Sequence, residues 1–334
     1  MTRGTGRVLA GLLAAVLGIG WLGALRLGQW AHTARPVPGV RVEVPPGATA
    51  RAVARDLAGA GLFPGPRAAL LVLYAWSDPA RIHAGTYRFT GALRPVDVVA
   101  ALTQGRVEQV EVTLPEGLTA REMAPILERA GITDGAGFTA LAYSPGSPAR
   151  WDLPGPSLEG FLFPDTYRFA RGQPPERVVD AMVRRFREVA LPLLPEARRR
   201  GLDLLGWVTL ASIVEKETSR DDERPLVAAV FLNRLARGMR LESDPTVIYG
   251  LRGFDGNLTR AHLRTDHPYN TYTRRGLPPG PIASPGLASL RAAAHPAEVD
   301  YLYFVSRNDG THVFSRTYAE HRRWVRRFQQ GGRR

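Results

Sequence analysis

The chain has 334 residues, 22% of them charged, and a net charge of +13. That length holds two or three domains with a sizeable core, and the composition excludes a disordered chain. With no cysteine present, disulfides and cysteine-ligated metals are excluded, while the compartment stays open. The positive charge is almost all arginine, with Lys216 the single lysine. A GC-rich genome is the simplest account. A basic surface that meets anionic lipid, a wall polymer or nucleic acid is the functional one. No zinc finger, RNP motif or basic heptad region occurs, so no nucleic-acid partner is expected.

Residues 8–25 carry no charge. As a helix they span about 27 Å at ~1.5 Å per residue, close to the hydrocarbon thickness of a bilayer. Trp21 and Trp30 suit an interface. A cleaved signal peptide is the alternative. The length of the run and the lack of a small-x-small site favour a transmembrane anchor over residues 8–30, with a cytoplasmic tail at 1–7. Arg3 and Arg7 precede the run while Arg26, Arg35 and Arg41 follow it, so charge alone does not choose a side. Long domains translocate largely regardless of charge. The remainder is therefore expected outside the cytoplasm, on a single-pass protein of the cell (inner) membrane.

Residues 31–39 carry two prolines and read as a linker. A repeat follows: Pro-Pro-Gly-Ala-Thr-Ala-Arg at 45–51 is matched by Pro-Glu-Gly-Leu-Thr-Ala-Arg at 115–121, and the match continues at Leu57/Leu127, Ala60/Ala130 and Gly61/Gly131. Each copy predicts a strand (40–44; 110–114), a Pro-Gly turn and a short amphipathic helix capped by Thr. Gly-Thr-Tyr-Arg-Phe at 85–89 is echoed by Asp-Thr-Tyr-Arg-Phe at 165–169. Two related α+β units, the second enlarged by insertion, explain the pattern.

Downstream the pattern is mostly helical. Residues 175–189 are amphipathic, and 144–157 and 277–286 are Pro/Gly-rich loops. A hairpin is expected from 301–306 and 311–315, then a basic amphipathic helix over 318–328 and a basic tail at 330–334. Residues 204–214 are uncharged and read as a buried helix running into Glu215-Lys216-Glu217-Thr218. A carboxylate at the end of a buried helix loses hydration, which raises its pKa, and a protonated carboxyl is what a general acid needs. Glu215 and Glu217 lie two apart and face different ways, so both cannot enter one cleft. Periodicity does not separate them, and a solvated helix end is the bland alternative.

Other segments pair polar groups with aromatics that suit sugar faces. Glu159, Asp165 and Tyr167 lie in 158–167, where an ordinary aromatic core strand is the alternative. Asp244 lies in 243–250, and Tyr269, Asn270 and Tyr272 lie in 268–272. Both stretches read equally as Asx or Pro turns. No Gly-x-Ser-x-Gly elbow, Walker A loop or His-Glu-x-x-His occurs, and the seven histidines lack ligand spacing.

Taken in order, the segments 158–167, 211–218 (Ala-Ser-Ile-Val-Glu-Lys-Glu-Thr), 243–250 (Ser-Asp-Pro-Thr-Val-Ile-Tyr-Gly), 269–272, 276–283 (Gly-Leu-Pro-Pro-Gly-Pro-Ile-Ala) and 292–296 resemble the YceG-like family of endolytic murein transglycosylases. The resemblance implies an N-terminal anchor, a LysM-like α/β module over 40–107 and a helix-rich α+β catalytic domain over 108–329 that ends in the hairpin. It implies that the first glutamate of its segment, Glu215, is catalytic, with Glu159, Asp165, Tyr167, Asp244, Tyr269, Asn270 and Tyr272 around the substrate. The implied reaction is lytic. An acid protonates the oxygen between N-acetylmuramic acid and N-acetylglucosamine, the sugar's own 6-hydroxyl attacks, and a 1,6-anhydro end results. One residue can act as acid and then base, so no second carboxylate is required. No metal or organic cofactor is implied. The implied partners are nascent peptidoglycan strands, the membrane and peptidoglycan synthases. A non-catalytic wall-binding scaffold and a hydrolytic muramidase are the competing readings.

Overall fold

A computed structural model of the chain describes residues 3–251 and 253–330, with side chains described from 17 to 251 and 253 to 329. It divides into two compact units, Met1–Val110 and Glu111–Arg334. The expected tails at 1–7 and 330–334 fall outside the residues whose side chains are described, and so does the first part of the expected anchor. The anchor residues belong to helix α1 (Arg3–His32). Among the described residues no helix is long and apolar enough to cross a membrane.

In the first unit β1 (Arg35–Val44) leads through α2 (Ala50–Gly59) and α3 (Pro66–Trp76) to β2 (Gly85–Leu93) and α4 (Pro95–Thr103). The expected linker at 31–39 is therefore mostly strand. Pro36 and Pro38 are tolerated because the sheet has two strands and both are edges. The antiparallel register runs from Arg35↔Leu93 to Val44↔Gly85 and breaks between Val37 and Val40. Val42, Val44, Val53, Leu57, Leu73, Tyr87 and Leu102 fill the core.

The second unit opens with β3 (Gln109–Thr113), α5 (Ala120–Arg129) and α6 (Gly135–Tyr143), and β3 pairs with β4 (Thr166–Ala170). The internal repeat is structural down to single bonds. Thr49 and Thr119 both cap a helix through the side chain. Gly47 and Gly117 take φ of 75° and 76°, the left-handed turn that only glycine enters freely. The Tyr87 hydroxyl donates to His83 O and that of Tyr167 to Phe163 O, each at 2.6 Å, and each ring stacks on the phenylalanine two residues on.

The chain continues through α7 (Pro175–Ala190), α8 (Leu194–Arg199), α9 (Leu204–Glu217), α10 (Arg224–Ala236), α11 (Asp244–Gly250), α12 (Arg260–Arg264) and α13 (Leu287–Ala294). It ends in the hairpin β5 (Tyr303–Ser306) and β6 (His312–Ser315), then α14 (Tyr318–Val325). Residues 244–250, readable as a turn, form a helix instead, because Pro245 at its first turn has its φ already set for one. Helix α9 is the central strut. Every residue from Trp207 to Val214 is buried, and it packs on α8, α10, α11 and α13. Asp203 caps it by accepting from Gly206 N at 2.7 Å. Ser212 ties it to the Pro-rich loop by accepting from Ile282 N at 3.0 Å.

Candidate active site

The last turn of α9 sends its two glutamates to different places. Glu217 lines a cavity of about 280 Å³ together with Asp244, Tyr272, Arg234, Glu242 and His321. By exposed area it is only half-buried, because it opens on this cavity, yet protein surrounds it on all other sides. Its carboxyl is pushed up to about 7, first by burial and then by the negative charge of Asp244. A hydrogen bond donated by the Ser243 hydroxyl and the charge of Arg234 work the other way. The result is a carboxyl that carries a proton for much of the time at neutral pH. Beside it the Tyr272 hydroxyl donates to Asp244 Oδ1 at 2.6 Å. Arg234 is fixed from behind, donating to Leu302 O at 2.7 Å and Leu241 O at 2.9 Å. His321 arrives on α14, with its ring on Tyr303 at 5.2 Å. Burial, then the charge of Arg234, lowers its pKa and so favours the neutral imidazole.

Glu215, the acid implied by resemblance, is placed differently. Its Oε2 accepts from Gly286 N at 3.0 Å and its Oε1 lies 3.7 Å from the guanidinium of Arg224, which is itself buried. Arg224 also donates to Ser289 Oγ at 3.0 Å and pairs with Asp221. These contacts join α9 to the start of α13. It does not line the cavity of Glu217. A second carboxylate joins it: a Cβ on Gly286 would fall inside the Glu116 carboxylate, so only glycine permits the approach. Burial, then the charge of Glu215, raises the Glu116 pKa. Glu215 is thus the acid that the resemblance implies, with its oxygens facing Gly286 N and Arg224, whereas Glu217 faces open space.

Glu159 is fully buried. Its Oε1 accepts from Ala120 N at 3.0 Å, and its Oε2 takes the hydroxyls of Tyr143 and, at 3.4 Å, Tyr249. Burial pushes its carboxyl up to about 7, against the pull of those donors. The two tyrosines, with Tyr269, His267 and Arg121, wall a separate cavity of about 640 Å³.

The eight residues singled out from sequence thus fall into groups instead of one cleft. Asp244 and Tyr272 stand with Glu217, and Tyr269 stands in the larger cavity in front of Glu159. Three others make bonds within the fold. Asp165 pairs with Arg185 at 2.6 Å and accepts from its neighbour Thr166 N. Tyr167 repeats the bond that Tyr87 makes in the first unit. Asn270 is buried, donating to the carbonyls of Leu263 and Thr265 and accepting from Tyr272 N, so it holds the turn on which Tyr269 and Tyr272 sit. Sequence reasoning missed Glu116, Tyr143, Arg234, Tyr249 and His321. A departure within the repeat marks Glu116: the first copy has Pro46 there. Among the described residues no group of three or more His, Cys, Asp or Glu is placed to hold a metal ion.

A family model described as YceG-like matches residues 42–327. A Bacillus subtilis protein named endolytic murein transglycosylase is 38% identical over 165 residues, which are 49% of this chain and 46% of that protein. One of the same name from Streptococcus pneumoniae is 27% identical over 300 residues, 80% of this chain and 54% of its own. The chain spans about half the length of these curated relatives. The crystal structure of a YceG-like protein from Listeria monocytogenes superimposes with a TM-score of 0.59 at 28% identity, covering 85% of this chain and 98% of that one. The matched span reaches into both units and includes Glu159, Glu215 and Glu217, and on it the chain belongs to the YceG-like family.

Proposed function

We propose that the protein cuts peptidoglycan glycan strands internally as a lytic transglycosylase, with Glu217 as the acid. The observation that carries this is a carboxyl raised to about 7 and open to a cavity, beside a Tyr–Asp pair, in a chain of this family. Glu217 gives its proton to the oxygen between N-acetylmuramic acid and N-acetylglucosamine, and the bond from that oxygen to C1 breaks. The 6-hydroxyl of the same muramic residue attacks C1, and its proton passes to the Glu217 carboxylate. A 1,6-anhydro end forms and the acid is regenerated. The Asp244 carboxylate, oriented by Tyr272, places negative charge where C1 becomes positive.

Residues 40–107 are read as a small wall-binding module of LysM-like type, which a core built mostly of their own residues supports. Residues 8–30 are read as an anchor that keeps the enzyme on the outer face of the cell membrane, beside new strands and the synthases that make them. The uncharged run at 8–25 supports this. No cofactor is part of the mechanism.

Asp244 also favours a second reading. A muramidase that uses water needs two carboxylates across the bond, and Asp244 lines the cavity of Glu217. Mass analysis of products from purified sacculi decides. Anhydro ends, lighter by one water than reducing ends, are expected. Reducing ends alone make the enzyme a hydrolase, and no release of fragments makes it a scaffold.

A further inference from the structure

Outside α1, four large apolar or aromatic side chains stand exposed among the described residues, and three of the four lie on α3. Leu71, Tyr74 and Trp76 keep 56%, 64% and 38% of their surface. The helix carries no charge between Arg67 and Asp78. Its inner face, Ala69, Val72 and Leu73, fills the core of the first unit. Leu71, Tyr74 and Ala75 form the outer face, which begins one turn after Arg67. A helix that is apolar on both faces, and sits at the surface, marks a contact with a partner. We propose that the partner is the headgroup layer of the membrane that the anchor enters, with the outer face of α3 laid against it. The inference rests on the reading of residues 8–30 as an anchor and extends it.

The joint between α1 and the first unit carries the argument. Ala31 is fully buried in the core of the unit, and Leu27 and Trp30 pack on it. The Trp30 ring lies 5.8 Å from that of Phe63, itself buried. The His32 ring lies 5.7 Å from that of Trp76, at the end of α3. The end of α1 is thus built into the unit and holds α3 at a fixed height above the uncharged run that ends at Leu25. At ~1.5 Å per residue Trp30 and His32 lie about 7–10 Å past that run, the level of the headgroups. Trp76 shares this level through its contact with His32.

The chemistry fits the same layer. Tyrosine and tryptophan favour it because the ring is apolar and the O–H or N–H stays wet. Arg26, Arg35 and Arg67 are exposed on α1, at the start of β1 and on α3, where they supply cations for lipid phosphates. The Arg35 guanidinium stands 4.8 Å over the Trp30 ring. Asp78, just past the end of α3, accepts from Ala80 N at 2.9 Å. The partner is therefore an anionic phospholipid surface.

The chain has no cysteine, so single introduced cysteines report position. Leu71→Cys, Tyr74→Cys and Glu43→Cys are made in the full chain, and each carries an environment-sensitive fluorophore. They are reconstituted in vesicles of phosphatidylcholine and phosphatidylglycerol, with and without a lipid that bears a shallow nitroxide quencher. Positions 71 and 74 are exposed, so the changes spare the core, and Glu43 is exposed on the strand β1. Labels at 71 and 74 should shift to the blue and lose most of their emission to the nitroxide, and the label at 43 should do neither. Labels at 71 and 74 that behave like the one at 43, in a protein that stays on the vesicles through an alkaline carbonate wash, overturn the docking of α3 and leave the anchor standing. A blue shift without quenching by the nitroxide also overturns it, since protein then covers the face. Release of the chain by the wash overturns the anchor reading itself, and the inference with it.

Discussion

Replacing Glu159 by Gln should change how stability depends on pH. In the folded protein the Glu159 carboxyl is raised from 4.5 to about 7. Between those values the folded state holds a proton that the unfolded state has released, so stability falls as pH rises through this window and levels off above it. A rise of that size corresponds to at most about 3 kcal/mol at ~1.36 kcal/mol per pH unit. Gln keeps the shape and one acceptor oxygen, presents N–H donors in place of the other oxygen, and does not titrate. Urea unfolding of both proteins at pH 4 and pH 8, followed by tryptophan fluorescence, measures the difference. Wild type should lose up to about 3 kcal/mol more than the variant between the two pH values. Equal losses would show that Glu159 ionises in the folded protein as it does in water, and the description of a buried, protonatable carboxyl would be wrong.

Tyr167→Phe and Tyr87→Phe should each cost about 1 kcal/mol, one hydrogen bond to a carbonyl, and should leave strand cleavage unchanged. A selective loss of activity in Tyr167→Phe would return that residue to the substrate. Arg224→Ala should lower stability by about 3 kcal/mol or more, because Glu215 and Glu116 lose their buried cation. Adding Glu116→Gln should restore part of it in thermal melts, and no restoration would mean the two carboxylates do not repel. Cleavage by wild type should fall as pH rises through about 7, because the proton to be donated is on Glu217. A rate that climbs through that range would refute Glu217 as the acid.

Much of the fold was legible because its signals are local. The run before Glu215 announced α9, and the repeat announced two units with matching caps and turns. Tyr167 has the counterpart Tyr87 in the repeat, and the two hydroxyls make the same bond to a carbonyl four residues back. The site was harder to read. Glu215 and Glu217 differ by two positions on one helix, and what separates them is contributed by Gly286, Arg224, Ser243 and Asp244, none of them next to either glutamate in sequence. Asp244 and Tyr272 are 28 residues apart and Glu159 and Tyr249 are 90 apart, yet both pairs share a hydrogen bond. Helix propensity and spacing do not carry such long-range pairings. His321 and Arg234 were invisible for the same reason.

Single-turnover cleavage of sacculi by Glu217→Gln and Glu215→Gln, side by side with wild type and with folding checked by thermal melting, tests the central claim most directly. Gln keeps the shape of the side chain and cannot give up a proton. Glu217→Gln should therefore lose about 10²–10⁴-fold in rate while remaining folded. Glu215→Gln should melt lower, since it weakens the contact with Arg224, and should keep a substantial fraction of cleavage where it is folded. The reverse result, with a folded Glu215→Gln that is inactive and a Glu217→Gln that still releases anhydro products, would contradict the assignment and return the acid to Glu215.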